Sequence, residues 1–99
     1  MNSLHTLNVS ARENTDLIAR LLRSTAQGDS ILLIENGVYN LTDNHFLQAA
    51  SQAKVSLFYL ERDAQARGLH SHSDKAQKAT DDDFVAMSCQ HKKVISWFV

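Results

Sequence analysis

A three-layer α/β sandwich on a mostly parallel sheet is the fold class this sequence predicts, and three observations predict it. Ile31-Leu32-Leu33-Ile34 is an unbroken apolar run with turn chemistry on both sides, the pattern of a strand covered on both faces. Strand-like and helix-like segments alternate along the chain through short connections, which implies parallel pairing with right-handed crossovers. At 99 residues there is room for one domain, residues 1–99, with a modest core and neither linkers nor internal repeats.

The elements follow in order. Ser3 to Val9 alternates Leu4, Thr6 and Asn8 against His5, Leu7 and Val9, as a short first strand does. Ser10-x-x-Glu13 has the form of a capping box, and Asn14, Thr15 or Asp16 offers a second start nearby. Leu17, Ile18, Leu21 and Leu22 then repeat as one face of a helix, which Gly28 is expected to end. The Ile31–Ile34 strand should sit mid-sheet. Asn36-Gly37 is expected to make a tight turn where it ends, because both residues tolerate positive φ.

Thr42 is the expected N-cap of a second helix reaching Ala53, with Phe46, Leu47, Ala49, Ala50 and Ala53 on one face. Lys54 to Leu60, β-branched and aromatic, should neighbour the central strand. Glu61 to Arg67 gives a third helix ended by Gly68, with Leu69 packing back. His70 to Thr80 is polar, with only Ala76 and Ala79 suited to burial and a weak edge strand near Lys75 to Lys78. Thr80 followed by Asp81, Asp82 and Asp83 starts a fourth helix with a hydroxyl cap and acids at the positive end of its dipole. Phe84, Val85, Ser88 and Cys89 are assigned to its inner face, and His91, Lys92 and Lys93 suit its end. Val94 to Val99 is a final strand or an apolar tail.

Composition narrows the function. Ten basic and eleven acidic residues give a formal charge of −1, so no strong field for nucleic acid is expected. Cys89 is the one cysteine, which precludes an intrachain disulfide and fits a reducing compartment. No basic segment followed by an apolar one opens the sequence, and no apolar run approaches the ~20 residues of a membrane span. The expected location is cytoplasmic.

Motifs that carry chemistry are few. With three glycines, neither Gly-x-Gly-x-x-Gly nor Gly-x-x-x-x-Gly-Lys-Ser/Thr occurs. His70-x-His72 with Asp74 has the residue types of a metal site, but two histidines in a polar loop are more often solvated. Cys89 is either a persulfide carrier or, as is commoner on an inner helix face, a small buried hydrophobe. It also lies far from a helix amino terminus, where thiolates are favoured. His5 has no nucleophile at a recognisable spacing and reads as structural. No catalytic residue, cofactor or metal is therefore assigned. In open α/β sheets, ligands and partners are met at the carboxyl ends of central strands, which singles out Glu35, Asn36, Gly37, Val38 and Tyr39. Trp97-Phe98-Val99 is a second anomaly: it either closes the core or meets another chain.

Leu4-His5-Thr6-Leu7, Gly28-Asp29 leading into Ile31-Leu32-Leu33-Ile34-Glu35-Asn36-Gly37-Val38-Tyr39, Ala66-Arg67-Gly68-Leu69, Asp83-Phe84-Val85 and Trp97 together resemble the TusB/DsrH family, in order and along essentially the whole chain. The resemblance implies a DsrE-like α/β fold and a cytoplasmic complex with TusC-like and TusD-like chains that relays persulfide sulfur toward 2-thiouridine at the tRNA wobble position. It implies that the sulfur-carrying cysteine belongs to the TusD-like partner. Some DsrH-type members of sulfur oxidisers carry a cysteine on the first helix, at a position that by its offset from Gly28 corresponds to Leu21 here. That departure favours the tRNA-modification branch over a DsrEFH-type role in sulfur oxidation. Two readings stand: a partner-binding subunit whose surface is Glu35, Asn36, Gly37, Val38, Tyr39, Trp97 and Phe98, or a sulfurtransferase with a persulfide on Cys89. Direct contact with tRNA or a membrane is not expected, and a homo-oligomer is open to the isolated chain. A phospho-receiver or flavodoxin-like module lacks its chemistry here, since no acid cluster ends the first strand and no phosphate loop follows it.

Overall fold

The computed structural model describes residues 2–69 and 75–98. Strand β1 (Ser3–Leu7), helix α1 (Thr15–Ser24), β2 (Ser30–Leu33), a 3-10 segment (Glu35–Thr42), α2 (Asn44–Gln52), β3 (Ser56–Leu60), α3 (Glu61–Ala66), β4 (Gln77–Ala79), α4 (Asp81–Gln90) and β5 (Lys93–Trp97) follow one another. The sheet has five strands in the order β4-β3-β2-β1-β5, and every pairing is parallel. β2 is its middle strand, and all four of its residues are buried, as an apolar run without alternation requires.

Topology sorts the helices into layers. From β1 to β4 the chain steps one way across the sheet, and same-handed crossovers put α1, α2 and α3 on one face. There Leu17, Ile18 and Leu21 of α1, Phe46 and Leu47 of α2 and Ala64 of α3 pack on Leu7, Ile31, Leu33 and Leu57. The return from β4 to the far side of β1 carries α4 across the opposite face, where Met87 and Phe84 meet Leu4, Leu32, Ile34 and Leu60. Alternate residues of β2 thus serve two separate cores, which makes three layers. The weak edge strand expected near Lys75 to Lys78 is β4, one to two residues later, and Ala76 and Ala79 are both buried. Among the described residues no helix is long and apolar enough to cross a membrane.

Local chemistry moves several expected boundaries. Asn14 starts α1 by accepting from the Leu17 N–H at 3.0 Å, while Ser10 and Glu13 bond each other in the turn before it. Gly28 does not end α1. The helix stops at Ser24, where Thr25 turns extended, and Gly28, with φ of 91°, serves a turn closed by the Asp29 N–H on the Ala26 carbonyl. Asp43 rather than Thr42 caps α2, accepting from the Phe46 N–H at 3.1 Å, because Thr42 is held in the 3-10 segment by its hydroxyl on the Tyr39 carbonyl. α3 ends as expected, with the Leu69 N–H returning to the Ala64 carbonyl. Thr80 and Asp83 form a reciprocal capping box at α4, and hydrogen bonding from the Thr80 backbone N–H, then from its side chain, holds the Asp83 carboxyl below its ordinary range.

The inner face of α4 is corrected. Phe84, Met87 and Ser88 turn inward, whereas Val85 and Cys89, one helical turn apart, lie on the outer face and are exposed. Few apolar residues fix the phase of this helix. His91 does so at its end, with Nδ1–H donating to the Met87 carbonyl at 2.7 Å and Nε2 accepting from the Ser30 hydroxyl at 3.0 Å.

Candidate functional site

The carboxyl ends of β2, β1 and β5 form the surface on which the sequence placed its candidates. After β2 the chain does not make the expected Asn36-Gly37 tight turn. Glu35 takes the positive φ, 49°, and the chain runs on as a 3-10 segment from Glu35 to Thr42. Such runs are uncommon at this length, so tertiary anchors must hold it. Gly37 is the first anchor: it lies so close to the end of β1 that a Cβ would overlap the Leu7 carbonyl oxygen. Glycine is needed there for close approach and not for its freedom of φ.

Asn40 is the second anchor, and it is 1% exposed. Its Oδ1 accepts from the Ala11 N–H at 2.8 Å, and its Nδ2 donates to the carbonyls of Val9 and Gly37, both at 3.0 Å. One amide therefore ties the loop after β1 to the segment after β2. On the other side, the Glu35 N–H donates to Asp63 at 2.6 Å and the Arg67 guanidinium to the Asn36 side chain at 3.0 Å, fastening the segment to α3.

These anchors decide which candidates face outward. Gly37 and Val38 are buried, Val38 completely, so their side of the segment belongs to the chain's own core. Glu35, Asn36 and Tyr39 are exposed. The carboxyl-terminal candidates divide likewise: Phe98 is 54% exposed, while Trp97 is half-buried and packs on the larger core. Val99 lies outside the described residues.

Trp97 ends a buried polar relay. Its indole N–H donates to Nδ1 of His5 at 3.0 Å, the two rings lie 6.3 Å apart at 28°, and Nε2 of His5 stands 2.9 Å from Oδ2 of Asp29. The indole can only donate, so Nδ1 accepts and the imidazole proton on Nε2 points to Asp29. Burial pushes the Asp29 carboxyl up, but N–H groups of Ala26 and Ser3, and then His5, outweigh it and leave the carboxyl below its ordinary 3.8. The relay has the acid and imidazole of a catalytic triad, with an indole where a nucleophile would stand. Its chemistry is to pin β5, β1 and the start of β2 together.

Sequence reasoning singled out His5 and Trp97 but did not join them to each other or to Asp29, because nothing in the spacing of residues 5, 29 and 97 links them. Asn40 went unnoticed too, although a polar amide between apolar Val38 and Leu41 is a usable signal. Leu21 is fully buried in the core. The sole thiol, Cys89, stands near the carboxyl end of α4, at the opposite end of the sheet from Glu35 and Tyr39. Among the described residues no group of three or more His, Cys, Asp or Glu side chains is placed to hold a metal ion. His70, His72 and Asp74 lie outside them.

Comparison with known proteins agrees with this architecture. A family model described as DsrH like protein matches residues 10–94. Protein TusB of Serratia proteamaculans is 38% identical over 96 residues, covering 95% of this chain and 99% of that protein. Protein TusB of a Klebsiella pneumoniae strain is 33% identical and that of an Escherichia coli strain 34% identical, each over 96 residues with the same coverage. Among solved structures, the ychN protein of E. coli superposes with a TM-score of 0.70 over 97% of this chain and 99% of that one. At 13% identity the likeness is one of fold, and that fold is the expected DsrE-like α/β sandwich. Matched by the family model through most of its length and by these relatives through nearly all of it, the chain belongs to the TusB/DsrH family.

Proposed function

We propose that the chain is a non-catalytic subunit of a cytoplasmic TusBCD-like complex that passes persulfide sulfur toward 2-thiouridine at the tRNA wobble position. Its TusC-like and TusD-like partners meet the carboxyl-end surface, through Glu35, Asn36, Tyr39 and Phe98, with Gly37, Val38 and Trp97 supporting that surface from within. The observation that carries this reading is the division of chemistry between the two ends. The carboxyl end offers exposed aromatic rings, the residues that most often anchor interfaces, and the one thiol sits at the other end.

The test is paired. Tyr39→Ala with Phe98→Ala should leave the fold intact and reduce copurification with TusC-like and TusD-like chains, by about 2 kcal/mol of binding or more. Unchanged assembly would reject the surface. A second reading, a persulfide carried on Cys89, draws support from the exposure of that thiol. Cys89→Ser separates the two: cellular 2-thiouridine near the parent level is expected, and its loss in a variant that still assembles would establish Cys89 as the carrier.

A further inference from the structure

Apart from the buried Asp29, every acid among the described residues lies at or just before the first turn of a helix, which in this topology is the carboxyl end of the sheet. The amino end is the reverse. Arg23 in the last turn of α1, Lys54 before β3, Lys92 before β5 and Lys93 at its start are all exposed. Contacts across the strand starts join Lys54 and Lys92, with Lys93 next to it, into a row. The Lys54 carbonyl accepts from the Gly28 N–H at 3.0 Å, Gly28 lies against the Asn2 side-chain amide, and the Asn2 carbonyl accepts from the Lys92 N–H at 3.0 Å. That row crosses the starts of β3, β2, β1 and β5, about 14 Å at the usual strand spacing.

Pairing differs between the ends as well. At the carboxyl end Arg62 meets Asp81 and Lys78 meets Glu61, whereas Arg23, Lys54, Lys92 and Lys93 have no acidic partner among the described residues. Helix dipoles account for the placement of the acids. They account also for Arg23, in the last turn of α1, but not for Lys54, Lys92 and Lys93 in a line without acidic partners among the described residues.

We propose that this row is a docking surface for the carboxyl end of a second copy of the chain, so that subunits associate head to tail. The proposal rests on the reading of the carboxyl end as a partner surface and adds the face that receives it. Charge complementarity names the occupant: the acids free to face these three cations are those at the other end of the same molecule, among them Glu35 and Asp16. Apolar groups match too, since Val94, 45% exposed beside Lys93, can receive Tyr39 or Phe98. An RNA strand fits less well. Single-strand tracks interleave cations with stacking aromatics, and the exposed aromatic rings lie at the opposite end of this chain, whose formal charge is −1. A head-to-tail contact is heterologous and closes into a ring or extends as a filament.

Sedimentation velocity of the isolated chain tests it. Association is expected at about 50 mM NaCl and should weaken at least about tenfold at about 500 mM. Lys54→Glu with Lys92→Glu should weaken it by at least about tenfold, as should Glu35→Lys with Asp16→Lys, and an equimolar mixture of the two folded variants should restore a dimer. Cys89, near the receiving end, supplies a second readout: its alkylation by iodoacetamide should slow on association and recover in the variants. A parent that stays monomeric at about 1 mM chain, a mixture that does not dimerise, or labelled tRNA that binds the parent through Lys54 and Lys92 without self-association would overturn the proposal. If Tyr39→Ala with Phe98→Ala still copurifies fully with TusC-like and TusD-like chains while the parent associates head to tail, the proposed partner surface fails and this one stands.

Discussion

Asn40→Ala is expected to destabilise the chain by about 2–5 kcal/mol, because it leaves the Ala11 N–H and the carbonyls of Val9 and Gly37 without their partner in a buried setting. Urea unfolding checks this, and a loss below about 1 kcal/mol would mean that water replaces the amide. Asp29 sets an acid dependence at the same scale. Its folded pKa is lowered, so its contribution is fully present above the unfolded value, near 3.8, and is lost as pH falls through the lower folded value. Asp29→Asn should therefore be less stable than the parent at neutral pH, with the gap closing below about pH 4. A gap that stays constant through that range would assign the effect to packing. Single residues were also where the sequence was least legible. Which amide is buried, and which two rings meet across neighbouring strands, depends on contacts between positions far apart in the chain, and a linear pattern does not record them.

At the scale of elements, Leu33→Asp places a carboxylate between the middle of the sheet and the α1–α2 layer, at a side chain with no exposed surface. Such a change costs several kcal/mol, on the order of the whole stability of a small domain, so loss of cooperative thermal unfolding is expected. A variant melting like the parent would contradict the central position of β2. The apolar run that identified this strand was legible because burial on both faces leaves only one pattern available. α4 shows the opposite case. Its start was readable from Thr80 and the three aspartates, but its rotation was not, since Phe84 and Val85 are adjacent and a sparse apolar stripe allows either phase. The structure turned Cys89 outward, and so Cys89→Ser should be silent in stability as well as in thiolation; a melting shift beyond about 2 °C would put the thiol back in the core. The segment after β2 was misread for a related reason: Asn-Gly signals a turn, and only the approach of β1 shows that the glycine answers to a neighbouring carbonyl.

For the whole molecule, Trp97 decides how far folding and assembly can be separated. It was weighed as interface anchor or core residue, and it is half core: one edge bonds His5 and one side packs inward, while Phe98 beside it stays exposed. Trp97→Ala should thus destabilise the isolated chain by about 2–4 kcal/mol, whereas Phe98→Ala should leave its unfolding unchanged. Equal melting of both variants would move Trp97 to the surface. The fold class and the family were legible because both are written in local periods and short segments; how β5 closes the sheet was not. That closure joins residues 92 positions apart, and it has a consequence for the timing of synthesis. β1 is made first but gains its outer neighbour last, so on the ribosome its open edge waits until residue 97 has cleared the exit tunnel. Through that interval a nascent partner strand could occupy the place meant for β5, and His5 would have only Asp29 to hold it.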